Sequence, residues 1–183
     1  MVLSMSLSLE EGRLALRRND PYIAWGVGCH PRQPKWQQTF HPAQFEEMVQ
    51  KTVIIGEIGI DSGSRVPIQQ QLSTFRIILD ILSNYPRFIS IHSYQATGAV
   101  LQELRQRPVN VPVLHWWTGT VAQTSEAVEL GCYFSIHSQV ARHSKFRCHV
   151  PLERVLVESD HGQDDPPPAI PHRICWAEYL VAQ

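Results

Sequence analysis

The sequence predicts an α/β fold whose parallel sheet is either open or closed into a barrel. Short runs rich in β-branched residues alternate along the chain with segments of helical spacing, and each run has the length of a buried strand. The chain has 183 residues, which is enough for one well-buried core but too short for two ordinary domains. We therefore expect one globular domain over residues 1–183.

The strands and helices can be located from these patterns. The predicted buried strands cover residues 22–29, 52–60, 87–93, 111–117, 132–138 and 154–160. The first residues, MVLSMSLS, are a poor further strand because of their serines. Apolar side chains at helical spacing predict helices over residues 44–49, 69–82 and 98–104. Ser8 and Glu11 have the spacing of a capping box at the start of an earlier helix that continues through Leu14 and Leu16.

Composition excludes some classes of protein. The net charge of -1 and pI near 6.7 give no general attraction to nucleic acid or anionic membranes, so any phosphate recognition must be local. The basic segment 141–149 could provide it, although a solvated basic face is the better explanation of that segment. No signal peptide or membrane span is visible, and we expect a cytoplasmic protein without membrane contact. The 4 cysteines form no C-x-x-C pair, which indicates reduced, buried thiols.

A carboxylate lies inside an apolar run. Glu57 is surrounded by isoleucine, valine and glycine in TVIIGEIGID, and a buried negative charge needs a partner or a cation. His92, His115 and Asp160 each stand at the carboxyl end of a predicted strand, and in a parallel barrel these ends meet on one face. With Asp61 they would surround a common cavity in which a divalent cation neutralises Glu57. Taken singly, each histidine could instead be a hydrogen-bonded structural group, and Asp160 could be a cap.

Five motifs in order resemble those of the TatD family of metal-dependent hydrolases. They are GVGCHP (26–31), IIGEIGID (54–61), ISIHSYQA (89–96), VLHWWTG (113–119) and PLERVLVESD (151–160). The resemblance implies a (β/α)8 TIM barrel of the metal-dependent hydrolase superfamily with two divalent cations, Mg²⁺, Mn²⁺ or Zn²⁺. It also implies a deoxyribonuclease or a related phosphodiesterase, with DNA or another phosphodiester as substrate.

The resemblance also implies roles for individual residues. Glu57 would bridge the metals, His92 and His115 would hold one of them, and Asp160 would bind the other while activating the attacking water. His30 resembles a family position near the substrate, although it could simply cap the turn before proline. Adjacent strand residues point to opposite faces, so one of the two adjacent tryptophans would pack in the core and only the other could stack on an unpaired base. Trp117 is the candidate for that contact.

The chain also departs from the family pattern. Tyr94 stands where the family has an arginine, and no His-x-His pair precedes Leu9. We therefore expect an incomplete barrel whose first strand is missing. One cation would be held by Glu57, His92 and His115, cleavage would be weak, and the open barrel edge would permit self-association. A catalytically dead TatD-like remnant or an interaction module is the alternative.

Overall fold

The structure is a computed structural model that describes residues 1–137 and 149–160. Strands and helices alternate along the chain, as predicted. The chain forms two compact units, Met1–Val113 and Leu114–Gln183. Most of the basic segment, residues 141–148, lies outside the described residues, as does Cys175.

The first unit begins with two short strands joined by a helix. Strand β1 (Val2–Ser4) and strand β2 (Ile23–Trp25) pair in parallel, and helix α1 (Leu9–Ala15) connects them. The serine-containing amino terminus is therefore a strand after all. Ser8 caps α1 by accepting a hydrogen bond from the Glu11 amide at 3.1 Å. The Glu11 carboxylate accepts from the Leu7 amide instead of closing a capping box on Ser8.

The next three strands are hydrogen-bonded neighbours in the same order as they follow one another in the sequence. They are β3 (Ile54–Gly59), β4 (Phe88–His92) and β5 (Val111–Leu114). The accompanying helices are α2 (Pro34–Gln38), α3 (Pro42–Val49), α4 (Ile68–Leu82) and α5 (Thr97–Gln106). Strands β3 and β4 run in parallel. The predicted strand over residues 22–29 is shorter than expected, and beyond β2 a single bridge from Val27 to Ile55 continues its pairing.

The core of the first unit follows the hydrophobic pattern of the sequence. All six residues of β3 are buried, as expected for a strand covered on both faces. Helices α3, α4 and α5 bury most of the predicted side chains at helical spacing, among them Phe45, Phe75 and Leu101, whereas Leu72 is only half-buried. Leu14 is an exception, because α1 turns it to solvent and buries Leu9, Gly12 and Ala15.

The second unit contains helix α6 (Val121–Glu129), strand β6 (Tyr133–His137) and strand β7 (Val155–Glu158). The two strands pair in parallel with His137 opposite Glu158. Thr120 and Gln123 form a complete capping box at the start of α6. Across the described parts of both units, no helix has the length and apolar character that a membrane crossing requires.

Left-handed backbone conformations occur close to three strand ends. Gln95 has φ of 50°, and Trp116 and Asp160 each have φ of 44°. They follow β4, β5 and β7, so the predicted strands over 111–117 and 154–160 end earlier than expected. A non-glycine residue in this region costs roughly 1–2 kcal/mol, and such strain is concentrated at functional sites.

Candidate active site

Glu57 has two histidine partners. It lies in β3, is only 8% exposed, and places Oε1 2.8 Å from His92 Nδ1. Its Oε2 lies 3.6 Å from His30 Nε2. One ligand-capable atom from each of the three residues lies within 4.8 Å of the other two. The buried carboxylate is therefore accommodated by imidazole groups that can also bind a cation.

Two glycines of the motifs permit this close arrangement. A Cβ atom on Gly28 would lie 2.4 Å from the Glu57 amide nitrogen. A Cβ atom on Gly59, whose φ is 134°, would lie 2.1 Å from the His92 carbonyl oxygen. Neither distance is possible for a real side chain. The backbones on either side of the Glu57 strand can approach it only because both positions are glycine.

His92 lies between two carboxylates. Its Nδ1 faces Glu57, and its Nε2 lies 2.7 Å from Asp61 Oδ2. A neutral imidazole carries one proton, so it can donate to only one of these carboxylates, while the other contact needs a second proton or a cation. The arrangement is that of a metal-binding histidine whose far nitrogen is oriented by a carboxylate.

Asp61 is the orienting carboxylate, because it is completely buried and held on several sides. Its Oδ1 accepts from the Gly63 amide at 2.8 Å, and its own amide donates to Gln71 Oε1 at 2.8 Å. Arg32 Nε lies 3.2 Å from Asp61 Oδ2. These contacts leave Glu57 as the carboxylate that faces the candidate metal position.

His30 has a defined tautomer in this geometry. Its Nδ1 accepts a hydrogen bond from the Arg32 amide at 3.1 Å. Because Nδ1 accepts, the proton of a neutral His30 resides on Nε2, the nitrogen that faces Glu57. Both sequence interpretations of His30 therefore apply, since it closes the turn and also points an N–H group into the site. It could bind a cation through Nε2 only by giving up the bond from Arg32.

Cys29 precedes His30 but is a packing residue. Its amide donates to the Glu57 carbonyl at 3.1 Å, and its side chain is buried. Burial raises the pKa of the Cys29 thiol to about 12, so it stays protonated at neutral pH. Cys132 of the second unit is also buried, and its pKa is likewise about 12. For these two residues the prediction of reduced, buried thiols is confirmed.

The second unit contains a similar arrangement around His115. His115 Nδ1 lies 2.7 Å from Glu158 Oε2, and its Nε2 lies 3.4 Å from Asp160 Oδ1. The Ser135 hydroxyl donates to the same Glu158 oxygen. The side chain of Asp160 is 40% exposed, whereas that of Glu158 is 14% exposed. Glu158 thus orients the ring and directs Nε2 toward the more accessible Asp160.

Glu158 and Asp61 were not assigned these orienting roles from the sequence. A signal for Glu158 was nevertheless present, because in VLVESD it stands two residues before Asp160, which would place both on one face of an extended strand. Glu158 Oε1 is buried and has no hydrogen-bond partner within residues 1–137 and 149–160.

Trp117 is a core residue, and the expectation that it contacts substrate is corrected. It is 2% exposed, its ring centroid lies 5.2 Å from that of Phe134, and its Nε1 donates to Thr124 at 3.1 Å. It therefore has no free face for a nucleotide base. The partly exposed tryptophan is Trp116, whose ring stacks on His137 with 4.3 Å between centroids.

The four predicted metal residues form two pairs. Glu57 contacts His92 in the first unit, and His115 contacts Asp160 in the second. Because the pairs belong to different compact units, their meeting in one cavity stays a prediction. His30 and Asp61 join the first pair, and Glu158 joins the second.

Comparison with known proteins gives consistent results. The family model described as TatD related DNase matches residues 1–175. The chain is 26% identical over 174 residues to the 3'-5' ssDNA/RNA exonuclease TatD of Edwardsiella piscicida, covering 87% of this chain and 66% of that protein. A relative from Danio rerio is 25% identical over 124 residues, which cover 63% of this chain and 47% of the relative. The chain thus spans between about half and two thirds of these curated relatives.

Solved structures share the fold. YjjV, a TatD homologue from Escherichia coli K12, matches with a TM-score of 0.83 and 22% identity, covering 98% of this chain and 76% of YjjV. A TatD family hydrolase from Entamoeba histolytica matches with a TM-score of 0.69 and 18% identity, covering 85% of this chain and 58% of that structure. The predicted TIM-barrel type of fold is therefore confirmed. With its family motifs, its barrel-type fold and a model match over residues 1–175, this chain belongs to the TatD related DNase family of metal-dependent hydrolases.

Proposed function

We propose that this chain acts as a divalent-metal-dependent hydrolase on phosphodiester bonds of DNA. The observation that carries the proposal is the buried carboxylate of Glu57, which faces His92 Nδ1 at 2.8 Å and His30 Nε2 at 3.6 Å. A buried group with this set of donors is characteristic of a metal centre.

The residues fit a cation. Glu57 and His92 would hold it, because Asp61 fixes the far nitrogen of the His92 ring while Glu57 supplies the negative charge. Imidazole ligands favour Mn²⁺ or Zn²⁺ over Mg²⁺. A cation held by these residues would supply Lewis acidity toward the scissile phosphodiester and would favour ionisation of the attacking water. Participation of His115, and a total of one cation per chain, stay predictions.

The protein's own groups perform the remaining steps. His30 donates from Nε2 to an oxygen of the substrate and so stabilises the negative charge that develops during cleavage. The prediction that Asp160 accepts the proton of the attacking water is kept, and its partly exposed carboxylate suits that role. Within the second unit, Glu158 keeps His115 oriented toward Asp160.

DNA is the proposed substrate because the Edwardsiella piscicida relative is named for exonuclease activity on single-stranded DNA and RNA. The nearly neutral chain requires local contacts for such a polyanion, which the imidazole N–H groups of the site can supply. The second candidate is a TatD-like interaction module without catalysis.

One pair of measurements separates the two candidates. Metal content is determined by elemental analysis, and cleavage of a labelled single-stranded oligodeoxynucleotide is followed with added Mn²⁺. We expect bound metal and slow metal-dependent cleavage, both lost in Glu57→Ala while the circular dichroism spectrum is unchanged. Metal binding with no cleavage would favour the interaction module, and unchanged metal affinity in Glu57→Ala would remove the proposed centre.

Self-association through an open barrel edge and a cytoplasmic location also stay predictions. Sedimentation velocity over a range of protein concentrations tests the first. A strictly monomeric species at high concentration would contradict it.

A further inference from the structure

Arg32 lies next to the candidate metal centre, and only part of its guanidinium group contacts other described residues. Its Nε lies 3.2 Å from Asp61 Oδ2, and its guanidinium carbon lies 5.9 Å from the Tyr94 ring centroid. The side chain is nevertheless 56% exposed. Its two terminal nitrogens have no hydrogen-bond partner among the described residues.

The surrounding contacts place Arg32 beside the reacting groups. Asp61 Oδ2, which Arg32 contacts, is also the atom that contacts His92. The Arg32 amide donates to His30, and the carbonyl of Pro31 accepts from the Ser64 hydroxyl at 3.1 Å. The His30–Arg32 turn is therefore anchored on both sides. It holds a guanidinium group and the Nε2–H of His30 in one region of the site.

Another arginine in the same unit shows what a purely structural pair looks like. Arg18 is 57% exposed, contacts Asp20 and stacks on Trp25, so its surroundings resemble those of Arg32. Arg18, however, binds Asp20 with both Nε at 2.7 Å and Nη2 at 3.2 Å. Arg32 forms no hydrogen bond to Asp61 through its terminal nitrogens, and its shortest contact with that carboxylate is from Nε at 3.2 Å. The difference leaves the terminal edge of Arg32 available to a second anion.

The two arginines also lie at different ends of the strands. Asp20, which Arg18 binds, precedes β2, and the carbonyl oxygen of Trp25 accepts a hydrogen bond from Thr52, which precedes β3. Asp61, which Arg32 contacts, follows β3, as His92 closes β4. Arg18 is therefore a matched control at the amino ends of the strands.

We propose that the terminal nitrogens of Arg32 bind a phosphate group of the nucleic-acid substrate next to the metal centre. This inference rests on the proposed function and names the group that positions the substrate. A planar guanidinium suits the task, because it donates two parallel hydrogen bonds to phosphate oxygens while Asp61 and Tyr94 keep it in place. Arg32 is thus a binding residue for the backbone and has no role in recognising bases.

The test compares wild type with Arg32→Gln, Arg32→Lys and Arg18→Gln as complete chains. Binding of a fluorescent single-stranded oligodeoxynucleotide is measured by anisotropy in Ca²⁺, and binding of inorganic phosphate by calorimetry with and without Mn²⁺. We expect Arg32→Gln to weaken both affinities by about tenfold. Arg32→Lys should retain part of the affinity because it keeps the positive charge. It should lose the rest because an ammonium group cannot donate two parallel hydrogen bonds as a guanidinium group does. Arg18→Gln should stay within about twofold of wild type.

The salt dependence gives a second readout. Losing one phosphate contact should reduce the slope of log affinity against log salt by about 0.7 for a single strand. A folded Arg32→Gln variant with wild-type affinity would overturn the inference, as would an equal loss in Arg18→Gln or no oligonucleotide binding by wild type. Arg32-dependent binding by a wild-type chain that never cleaves would refute the proposed function while leaving this inference in place.

Discussion

Replacing Asp61 by asparagine should weaken metal binding, because it changes the tautomer of His92. The carboxylate accepts from the Gly63 amide with Oδ1 and contacts both His92 Nε2 and Arg32 Nε with Oδ2. In the asparagine variant, the side-chain oxygen would still accept the hydrogen bond from the Gly63 amide, and the NH₂ group would take the place of Oδ2. His92 Nε2 must then accept, so its proton moves to Nδ1, where it blocks the nitrogen that faces Glu57.

The size of the effect follows from the burial of Asp61. Loss of an orienting partner commonly lowers metal affinity by about 10–100-fold, or roughly 1.4–2.7 kcal/mol. We expect the upper end, because Asp61 is completely buried and water cannot replace the lost acceptor. If the asparagine side chain adopts the opposite orientation, its NH₂ group faces the Gly63 N–H. Both groups are donors, so this orientation is also unfavourable. Either orientation leaves a buried donor without an acceptor, which should also lower the free energy of unfolding by about 1–3 kcal/mol.

Titration calorimetry with Mn²⁺ or Zn²⁺ measures the affinity, and ¹⁵N NMR of the imidazole nitrogens reports the tautomer. Asp20→Asn is the matched control, because Asp20 also accepts from an arginine and from a ring N–H group, at 2.7 Å in each case. We expect Asp20→Asn to bind metal as wild type does. A folded Asp61→Asn chain with metal affinity within about threefold of wild type would refute the reasoning.

Three further predictions concern other residues. His30→Gln should retain metal affinity while cleavage falls by on the order of 100-fold, which calorimetry and oligonucleotide assays measure; a parallel loss of metal would instead make His30 a ligand. Cys29 and Cys132, with pKa values of about 12, should resist iodoacetamide in the folded chain near about pH 8 and react in urea, as peptide mapping would detect. Arg76 holds the pKa of buried Glu103 below its usual range, so Glu103→Gln should cost about 1–2 kcal/mol at neutral pH. Because the folded pKa is depressed, that difference should shrink as pH falls through the ordinary carboxyl range, and denaturant melts at several pH values test it.

The parts of the fold predicted from sequence were those set by local pattern. Continuous β-branched runs identified β3 and β4, because a strand that is buried on both faces requires apolar residues throughout. Helical spacing identified α4, because a helix that is buried on one side requires apolar residues at that spacing. Glu57 was recognisable as needing a partner for the same reason, since a charge in such a run is physically costly. The contact between Glu57 and His92 confirms that partner.

Side-chain orientation was harder to predict where the backbone is irregular. The tryptophan choice relied on the alternation of an extended strand, but the left-handed φ at Trp116 interrupts that alternation after His115. Arg32 lies in a turn, where no period reveals which side chain approaches the site. Its position depends on Asp61, which is distant in sequence, and only the folded chain brings them to 3.2 Å.

Gly28 and Gly59 have a consequence for recognising active members of this family. Gly28 and Gly59 are required by backbones that would otherwise collide, at 2.4 Å and 2.1 Å, whether or not a cation is ever bound. A descendant that had lost Glu57 and His92 would still need both glycines in order to fold. Sequence searches that score the glycine pattern therefore detect proteins that keep the fold. Searches that score the neighbouring histidines and carboxylates detect proteins that keep the catalytic groups.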